Sequence, residues 1–208
     1  MREPDPNLTL LDLLLIEVEK MGLAPVICFN KLDLATAEEW EHLRSVYRDS
    51  GYPLFFLSSR TGEGIDELKH QLEGKTTVLM GNSGVGKSTL INRLCPHAMM
   101  ETGVISEKLR RGRHTTRHTE LFFAGAGTYL MDTPGFSAME LTGVEPEQLR
   151  FYYNEFNPYY PDCRFNDCMH TEERDCAVKR AVEEGAISRE RYEQYRTLLN
   201  DIRNRKKY

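Results

Sequence analysis

The chain has 208 residues, of which 40% are hydrophobic and 28% charged, and its net charge at pH 7 is −5. This length suits one globular domain, or one domain with a small appendage. The negative charge argues against an unspecific nucleic-acid binder. No apolar run approaches the roughly 18 residues of a membrane span, and no signal peptide is recognisable, so we expect a cytoplasmic protein without membrane contact.

The first predicted elements are an amphipathic helix and a buried strand. Apolar residues recur at three- and four-residue steps between Asn7 and Met21, which predicts a helix. The run 25–29 is continuously apolar, as in a strand that is covered on both faces. Cys28, in this run, is therefore predicted to lie in the core.

The tetrapeptide after this strand, Asn30-Lys31-Leu32-Asp33, has the N-K-x-D pattern of guanine recognition in GTPases. The Asp33 carboxylate can accept hydrogen bonds from guanine N1 and N2, whereas adenine would leave it buried without a partner. The Asn30 amide can donate to N7, and the Lys31 stem can lie along the base. Taken alone, the tetrapeptide can equally cap the helix predicted at 35–49.

A second strand, 53–57, precedes Ser58 and Ser59, which resemble the S-A-K segment of GTPases. Ser59 would offer its backbone N–H to guanine O6, although a simple polar turn explains these residues equally well. A short helix is predicted from Gly64 to Leu72.

The segment 81–88 matches the phosphate-binding pattern G-x-x-x-x-G-K-[ST] without a mismatch, between a strand at 76–81 and a helix at 89–94. Its glycines let backbone N–H groups face a phosphate, and the helix adds the positive end of its dipole. Lys87 should reach the β- and γ-phosphates, and the Ser88 hydroxyl should bind Mg²⁺. The predicted nucleotide-binding residues here are Gly81, Asn82, Ser83, Gly84, Val85, Gly86, Lys87, Ser88 and Thr89.

The segment 109–118 contains four arginines, two histidines and two threonines, where GTPases place a mobile switch. Either Thr115 or Thr116 should close onto Mg²⁺ and the γ-phosphate, with Thr116 preferred; a solvated loop is the alternative. A hairpin of strands at 119–124 and 128–131 then leads into a D-x-x-G pattern. There Asp132 would hold Mg²⁺ through a water, and Gly135 would offer its N–H to the γ-phosphate.

The C-terminal part has a different composition, with aromatic residues and a group of cysteines. Three sulfurs and one imidazole can form the closed tetrahedral shell of a structural zinc ion. Cysteines buried in a core beside a surface histidine are the alternative. Helices are predicted at 145–156 and 188–206. The predicted ligands are Cys163, Cys168, His170 and Cys176.

The base-recognition motif precedes the phosphate loop, so these motifs predict a circularly permuted GTPase. In this order, and with the zinc set, the chain resembles the ribosome small-subunit-dependent GTPase A family over nearly its whole length. The resemblance implies a P-loop GTPase of α/β class, a three-layer sandwich at 1–140, with a small helical zinc-binding domain at 141–208. It also implies GTP/GDP and Mg²⁺ as ligands, one zinc ion, and slow hydrolysis stimulated by the 30S ribosomal subunit.

Further expectations follow from the resemblance. The partners would be the 30S subunit and 16S rRNA, in late subunit maturation, and the protein would be a monomer. Many GTPases place a water-orienting Gln after D-x-x-G; here Phe136 stands there, so His114 is the candidate catalytic residue beside Lys87 and Thr116. Family members carry an N-terminal OB-fold and six sheet strands, so we expect a fragment or mis-started product that lacks the OB-fold and one strand.

Other functions remain open at this point. A permuted GTPase of large-subunit assembly would share the motif order but not the zinc set. A nucleotide-gated RNA-binding module would have negligible turnover, and an ATPase would not need Asp33.

Overall fold

The computed structural model describes residues 4–97, 120–133 and 141–205. By its contacts the chain forms two compact units, each described here by itself. Unit 1 comprises the described parts of Met1–Asn7, Cys28–Thr36 and Phe55–Ala138, and unit 2 those of Leu8–Ile27, Ala37–Leu54 and Met139–Tyr208. The functional division at residue 140 stays a prediction, since contacts alone group residues 8–27 and 37–54 with the C-terminal segment.

Five strands occur in the described residues, close to the five predicted positions. The strands are β1 (Ile27–Phe29), β2 (Leu54–Phe56), β3 (Thr76–Leu79), β4 (Glu120–Gly125) and β5 (Thr128–Asp132). They form two sheets, one of β1 and β2 and one in the order β3-β5-β4, and no strand among the described residues joins the two.

The register of the three-stranded sheet positions one of the predicted site residues. β3 and β5 are parallel, with Leu79 opposite Asp132, while β4 and β5 are antiparallel. The carboxyl end of β5 therefore lies beside the carboxyl end of β3, where the phosphate-loop pattern begins. The tight turn after β4 has positive φ at Ala126 and Gly127, as a two-residue hairpin requires.

Seven α-helices occur in the described residues, and six of them overlap predicted helices. They are α1 (Leu8–Lys20), α2 (Ala37–Tyr47), α3 (Ile65–Leu72), α4 (Lys87–Leu94), α5 (Pro146–Leu149), α6 (Ala177–Glu183) and α7 (Arg189–Arg205). None of the helices in these residues is long and apolar enough to cross a membrane. α6 was not predicted; its first turn follows the predicted zinc ligand Cys176.

The predicted helix at 145–156 is wrong beyond its first turn. After α5 the chain forms separate 3₁₀ turns, and Tyr153 leaves the helical region at φ −106° and ψ 85°. Tyr153, Glu155 and Phe156 are all buried. In an α-helix residues 153 and 155 would point about 200° apart, so one face could not bury all three side chains.

The prediction that Cys28 is a core residue is also wrong. In β1 only Ile27 and Phe29 are buried, and Cys28 is exposed between them. The apolar run thus forms a strand with one covered face, because alternate side chains of a strand point to opposite sides. A continuous run of apolar residues does not by itself show that both sides are covered.

Unit 2 has a hydrophobic core formed by two of its three chain segments, 8–27 and 139–208. The core includes Leu13 and Ile16 of α1, Leu149 and Phe156 from the middle of the segment 141–176, and Leu198 and Leu199 of α7. Against it lies a buried ion cluster: the Arg191 guanidinium contacts the carboxylates of Asp12 and Glu155. The side chains of this cluster are at most 3% exposed.

Candidate nucleotide site and metal centre

The phosphate loop of unit 1 is shaped by glycines with positive φ: 147° at Gly81, 81° at Gly84 and 100° at Gly86. A β-carbon at Gly86 would lie 2.4 Å from Nδ2 of Asn30, so only glycine fits there. α4 begins at Lys87, and its unpaired N-terminal N–H groups therefore lie at the loop. Such a loop and helix start form an anion-binding site.

Lys87 lies within this loop. Its ammonium donates to the backbone oxygens of Gly81 and Asn82 at 2.8 Å and 2.9 Å. Burial lowers the pKa of Lys87, while the nearby Asp132 carboxylate opposes that shift. A negatively charged ligand in the loop would add to the stabilisation of the charged lysine.

Asp132, at the end of β5, carries a buried acceptor for which no donor is found. Its Oδ1 has no hydrogen-bond partner in the described residues. Burial raises the pKa of Asp132, and Lys87 lowers it. Next to it, the Thr133 hydroxyl donates to the Leu79 carbonyl at 2.7 Å and fixes the chain after β5 against β3. A carboxylate oxygen without a donor suits a hydrated Mg²⁺, whose water ligands donate.

Asn30 joins the three predicted recognition segments. Its Nδ2 donates to the Val85 carbonyl of the phosphate loop at 3.0 Å. Its Oδ1 accepts from the Lys31 N–H at 2.8 Å and from Ser59, at 2.9 Å from N–H and 3.0 Å from Oγ. The structure therefore brings together residues that are 55 positions apart in the sequence. Since the Ser59 N–H is bonded to Asn30, it would have to be shared with a guanine O6.

Asp33 lies beside this bridge. Its Oδ1 accepts from the Ser58 hydroxyl at 2.5 Å, and this bond is the main cause of a lowered Asp33 pKa. Its Oδ2 lies 3.0 Å from Nε of Arg60, an ion-pair distance without hydrogen-bond alignment. The charges of Arg60 and Lys31 also lower the pKa. Asp33 is therefore an ionised acceptor, as guanine recognition requires.

Two residues of this region were missed by the sequence analysis. Arg60 pairs with Asp33, and Arg93, in the last turn of α4, donates to the backbone oxygens of Ser59 and Arg60. Arg60 takes the third position of the segment compared with S-A-K, but no role was predicted for it, and Arg93 belongs to no recognised motif. Three predicted residues, His114, Thr116 and Gly135, lie outside the described residues, as does the alternative Thr115.

The predicted zinc ligands of unit 2 do converge. The four ligand atoms of Cys163, Cys168, His170 and Cys176 lie within 4.8 Å of one another. Sγ of Cys163 and Sγ of Cys176 are 3.8 Å apart, and Nδ1 of His170 is 3.3 Å and 3.7 Å from these two sulfurs. Tetrahedral zinc with ordinary bond lengths requires S–S of about 3.8 Å and N–S of about 3.6 Å. The cluster therefore fits zinc, with Nδ1 as the histidine ligand.

The surroundings of the cluster hold its ligands in place. Burial lowers the pKa of His170 to about 4, which keeps the imidazole neutral and able to bind a metal. Cys176 caps α6 and accepts from the Lys179 N–H at 3.5 Å. The Tyr192 hydroxyl donates to the His170 carbonyl at 2.5 Å. Burial raises the pKa of Cys168 to about 12, so a metal ion is needed to keep this sulfur as a thiolate.

The chain was compared with known proteins. The family model described as RsgA GTPase matches residues 1–142. A relative from Agathobacter rectalis, named small ribosomal subunit biogenesis GTPase RsgA, is 52% identical over 206 residues, which are 99% of this chain and 68% of the relative.

Two solved structures have a similar fold. YjeQ from Thermotoga maritima gives a TM-score of 0.79 at 35% identity, over 97% of this chain and 68% of that one. YloQ, described as a circularly permuted GTPase, gives 0.76 at 32% identity, over 98% of this chain and 65% of that one. The predicted fold class and family are confirmed, and the names favour neither large-subunit assembly nor an ATPase. The chain belongs to the RsgA family of circularly permuted GTPases.

Proposed function

We propose that this chain binds a guanine nucleotide with Mg²⁺ in unit 1 and hydrolyses GTP as a step in biogenesis of the small (30S) ribosomal subunit. The bridge made by Asn30 between the N-K-x-D segment and the phosphate loop is the observation that carries this proposal. It places a base-reading carboxylate and a phosphate cradle in one site. The printed names of the relatives support the subunit assignment.

The base is recognised by hydrogen-bond matching. Asp33 accepts from guanine N1 and N2, and adenine would leave its buried Oδ2 without a hydrogen-bond donor. Ser58 holds the carboxylate in place through Oδ1. The second N–H of the Asn30 amide is directed to N7, and the stem of Lys31 lies along the base. Ser59 fixes Asn30, and its N–H would be shared between Asn30 and guanine O6.

Hydrolysis is attack of water on the γ-phosphorus, with cleavage of the bond to the β–γ bridging oxygen. Charge develops on the phosphate oxygens, and Lys87 and the backbone N–H groups of residues 81–89 stabilise it. Bound Mg²⁺ would neutralise further charge, held by Ser88, Thr116 and, through a water, Asp132. Gly135 offers an N–H to the γ-phosphate, and His114 orients the attacking water, because Phe136 has no polar group for that task.

Unit 1 carries out the catalysis, and unit 2 supplies a surface that zinc stabilises. Zinc bound by three sulfurs and one nitrogen has no open position, so it is structural and not catalytic. We place the protein in the cytoplasm, as a monomer that contacts 16S rRNA phosphates through basic residues of the switch and the C-terminal tail. Such contacts predict an association that weakens as salt concentration rises.

Single-turnover GTP hydrolysis with and without purified 30S subunits tests the proposal. We expect a slow rate for the protein alone and a large stimulation by 30S subunits that falls with added salt. Stimulation by 50S but not 30S subunits would contradict the assigned partner. Equal binding of ATP and GTP by the wild-type chain, or an Asp33→Asn variant with unchanged guanine preference, would contradict the assigned base recognition.

A further inference from the structure

Arg93 is the residue of α4 that holds the base-recognition loop. Its Nε donates to the Ser59 carbonyl at 3.2 Å, and its Nη2 donates to the Arg60 carbonyl at 2.6 Å. A β-carbon at Gly62 would lie 3.6 Å to 3.9 Å from three of its guanidinium atoms, so the guanidinium lies flat against the chain there. The side chain is exposed overall. Its planar guanidinium nevertheless bonds to two carbonyl oxygens and lies against the backbone at Gly62.

These bonds fix the orientation of one peptide group. The peptide between Ser59 and Arg60 is planar, and in a trans peptide the C=O and the following N–H point in opposite directions. Because the Ser59 carbonyl points at Arg93, the Arg60 N–H points away from α4. Ser59 is held from its other side as well, since Asn30 accepts from its N–H and its hydroxyl.

The same loop holds the base-reading carboxylate. The Ser58 hydroxyl donates to Asp33, and it also accepts from the Thr61 N–H at 3.1 Å. Nε of Arg60 lies 3.0 Å from the other Asp33 oxygen. Movement of residues 58–61 would therefore misplace both partners of Asp33 together.

α4 also carries the phosphate end of the site. Ser88 lies in its first turn and Arg93 in its last, about 7.5 Å apart along the axis for the helical rise of about 1.5 Å per residue. The short helix α4 thus carries Ser88, the proposed magnesium ligand, in its first turn. In its last turn it carries Arg93, which holds the base-recognition loop.

We propose that Arg93 is a positioning residue for guanine recognition, which aligns residues 58–60 with the phosphate loop without touching the nucleotide. This role rests on the proposed guanine-nucleotide binding. Arg93 orients the Arg60 N–H as the donor for guanine O6, a task that the Ser59 N–H, bonded to Asn30, performs less well. Loss of Arg93 weakens contacts to the base and leaves contacts to the phosphates and Mg²⁺ intact.

The test is the release of a fluorescent N-methylanthraniloyl GDP from the 208-residue zinc-loaded protein, with Mg²⁺ and after addition of EDTA. For Arg93→Met we expect release about tenfold faster than wild type, as for the loss of about one charged hydrogen bond. The ratio of the release rate with EDTA to the release rate with Mg²⁺ should equal that of the wild type. This ratio depends on the contacts to the phosphates and Mg²⁺, which the substitution leaves intact. Arg93→Lys, which retains one donor and the charge, should fall between the two.

Arg44→Met is the matched control, since it removes a guanidinium from an exposed position on α2. Its release rate should equal that of the wild type. Release from Arg93→Met within twofold of the wild type would overturn the proposal. So would a changed EDTA ratio, which would show that the variant disturbs α4 as a whole. A wild-type chain that binds no GDP would instead contradict the proposed function, so the two failures are distinguishable.

Discussion

The two units differ in whether their buried carboxylates find partners within the chain. In unit 2 the buried ions satisfy one another: Arg191 contacts Asp12 and Glu155, and Tyr47 donates to Asp12 at 2.8 Å. In unit 1 three buried acceptors, Oδ2 of Asp33, Oδ1 of Asn82 and Oδ1 of Asp132, have no hydrogen-bond donor among the described residues, whereas the buried atoms without a partner in unit 2 are nitrogens, Nε of Arg150 and Nε2 of His170. Each such unpaired group costs about 1–3 kcal/mol.

This difference distinguishes a supporting part from a binding part. Unpaired acceptors around Lys87 reduce stability unless a ligand provides donors, so they belong to a site whose partners arrive with the ligand. The closed ion cluster of unit 2 gains nothing from a ligand. We propose that its other unusual group, the Cys–His cluster, binds a metal ion that serves folding and not chemistry. The predictions below test this contrast, from the largest expected effect to the smallest.

Removal of zinc should unfold unit 2. In small zinc domains binding contributes on the order of 10 kcal/mol, so we expect Cys176→Ser, or a strong chelator, to lower the melting temperature of unit 2 by more than ~10 °C. Circular dichroism and tryptophan fluorescence during a thermal scan measure this effect. Cys28→Ser changes an exposed cysteine outside the cluster and should leave melting unchanged. A chelator-resistant unit 2 would contradict a structural zinc site.

Arg191→Met should be strongly destabilising. It leaves the carboxylates of Asp12 and Glu155 buried without their cation, and breaking a buried ion pair in this way costs about 3–5 kcal/mol. Urea denaturation gives the free energy of unfolding. Arg44→Met, at a side chain that is 52% exposed, should change it by less than about 0.5 kcal/mol. Similar values for both variants would show that the cluster does not stabilise unit 2.

Lys87→Met should abolish most activity without unfolding the protein. Because we propose that this ammonium neutralises charge on the transferred phosphoryl group, we expect a loss of at least ~100-fold in kcat/KM, about 2.7 kcal/mol. Lys69→Met removes an exposed lysine of α3 and serves as the control. Single-turnover hydrolysis measures the rate, and an active Lys87→Met variant would remove Lys87 from the mechanism.

Asp12 should make unit 2 less stable as pH rises. Burial raises its pKa from 3.8 to about 6; Arg191 opposes this shift, but its charge is shared with Glu155. Because the pKa of Asp12 is higher in the folded state than in the unfolded state, the contribution of Asp12 to the free energy of unfolding is fully present below pH 3.8. This contribution is lost as the pH rises through about 6. As the pH rises from 4 to 7, the free energy of unfolding of Asp12→Asn, measured by urea denaturation, should therefore increase by about 1–3 kcal/mol relative to that of the wild type. A difference that is constant with pH would contradict a titrating Asp12.

Ser58→Ala should have the smallest effect, on base recognition. It removes the 2.5 Å hydrogen bond to Asp33 and leaves the carboxylate in place. One such bond contributes about 1 kcal/mol, so we expect GDP to bind roughly fivefold more weakly. Ser45→Ala, on the exposed surface of α2, is the matched control. Unchanged GDP affinity in Ser58→Ala would show that this serine does not orient Asp33.

The sequence alone determined the motifs, the strand positions, the family and the four residues that converge in the Cys–His cluster. Each of these depends on residue types at short, fixed spacing, as in residues 81–88 or in the group from Cys163 to Cys176, and such local patterns require no knowledge of packing. Only the tertiary structure showed the bridge from Asn30 to Val85, the support by Arg93 and the ion cluster of Asp12, Glu155 and Arg191. These contacts join residues 33 to 179 positions apart, so no periodicity or local propensity encodes them. The same reason explains the wrong predictions for Cys28 and for residues 150–156, because burial depends on which distant segments pack nearby.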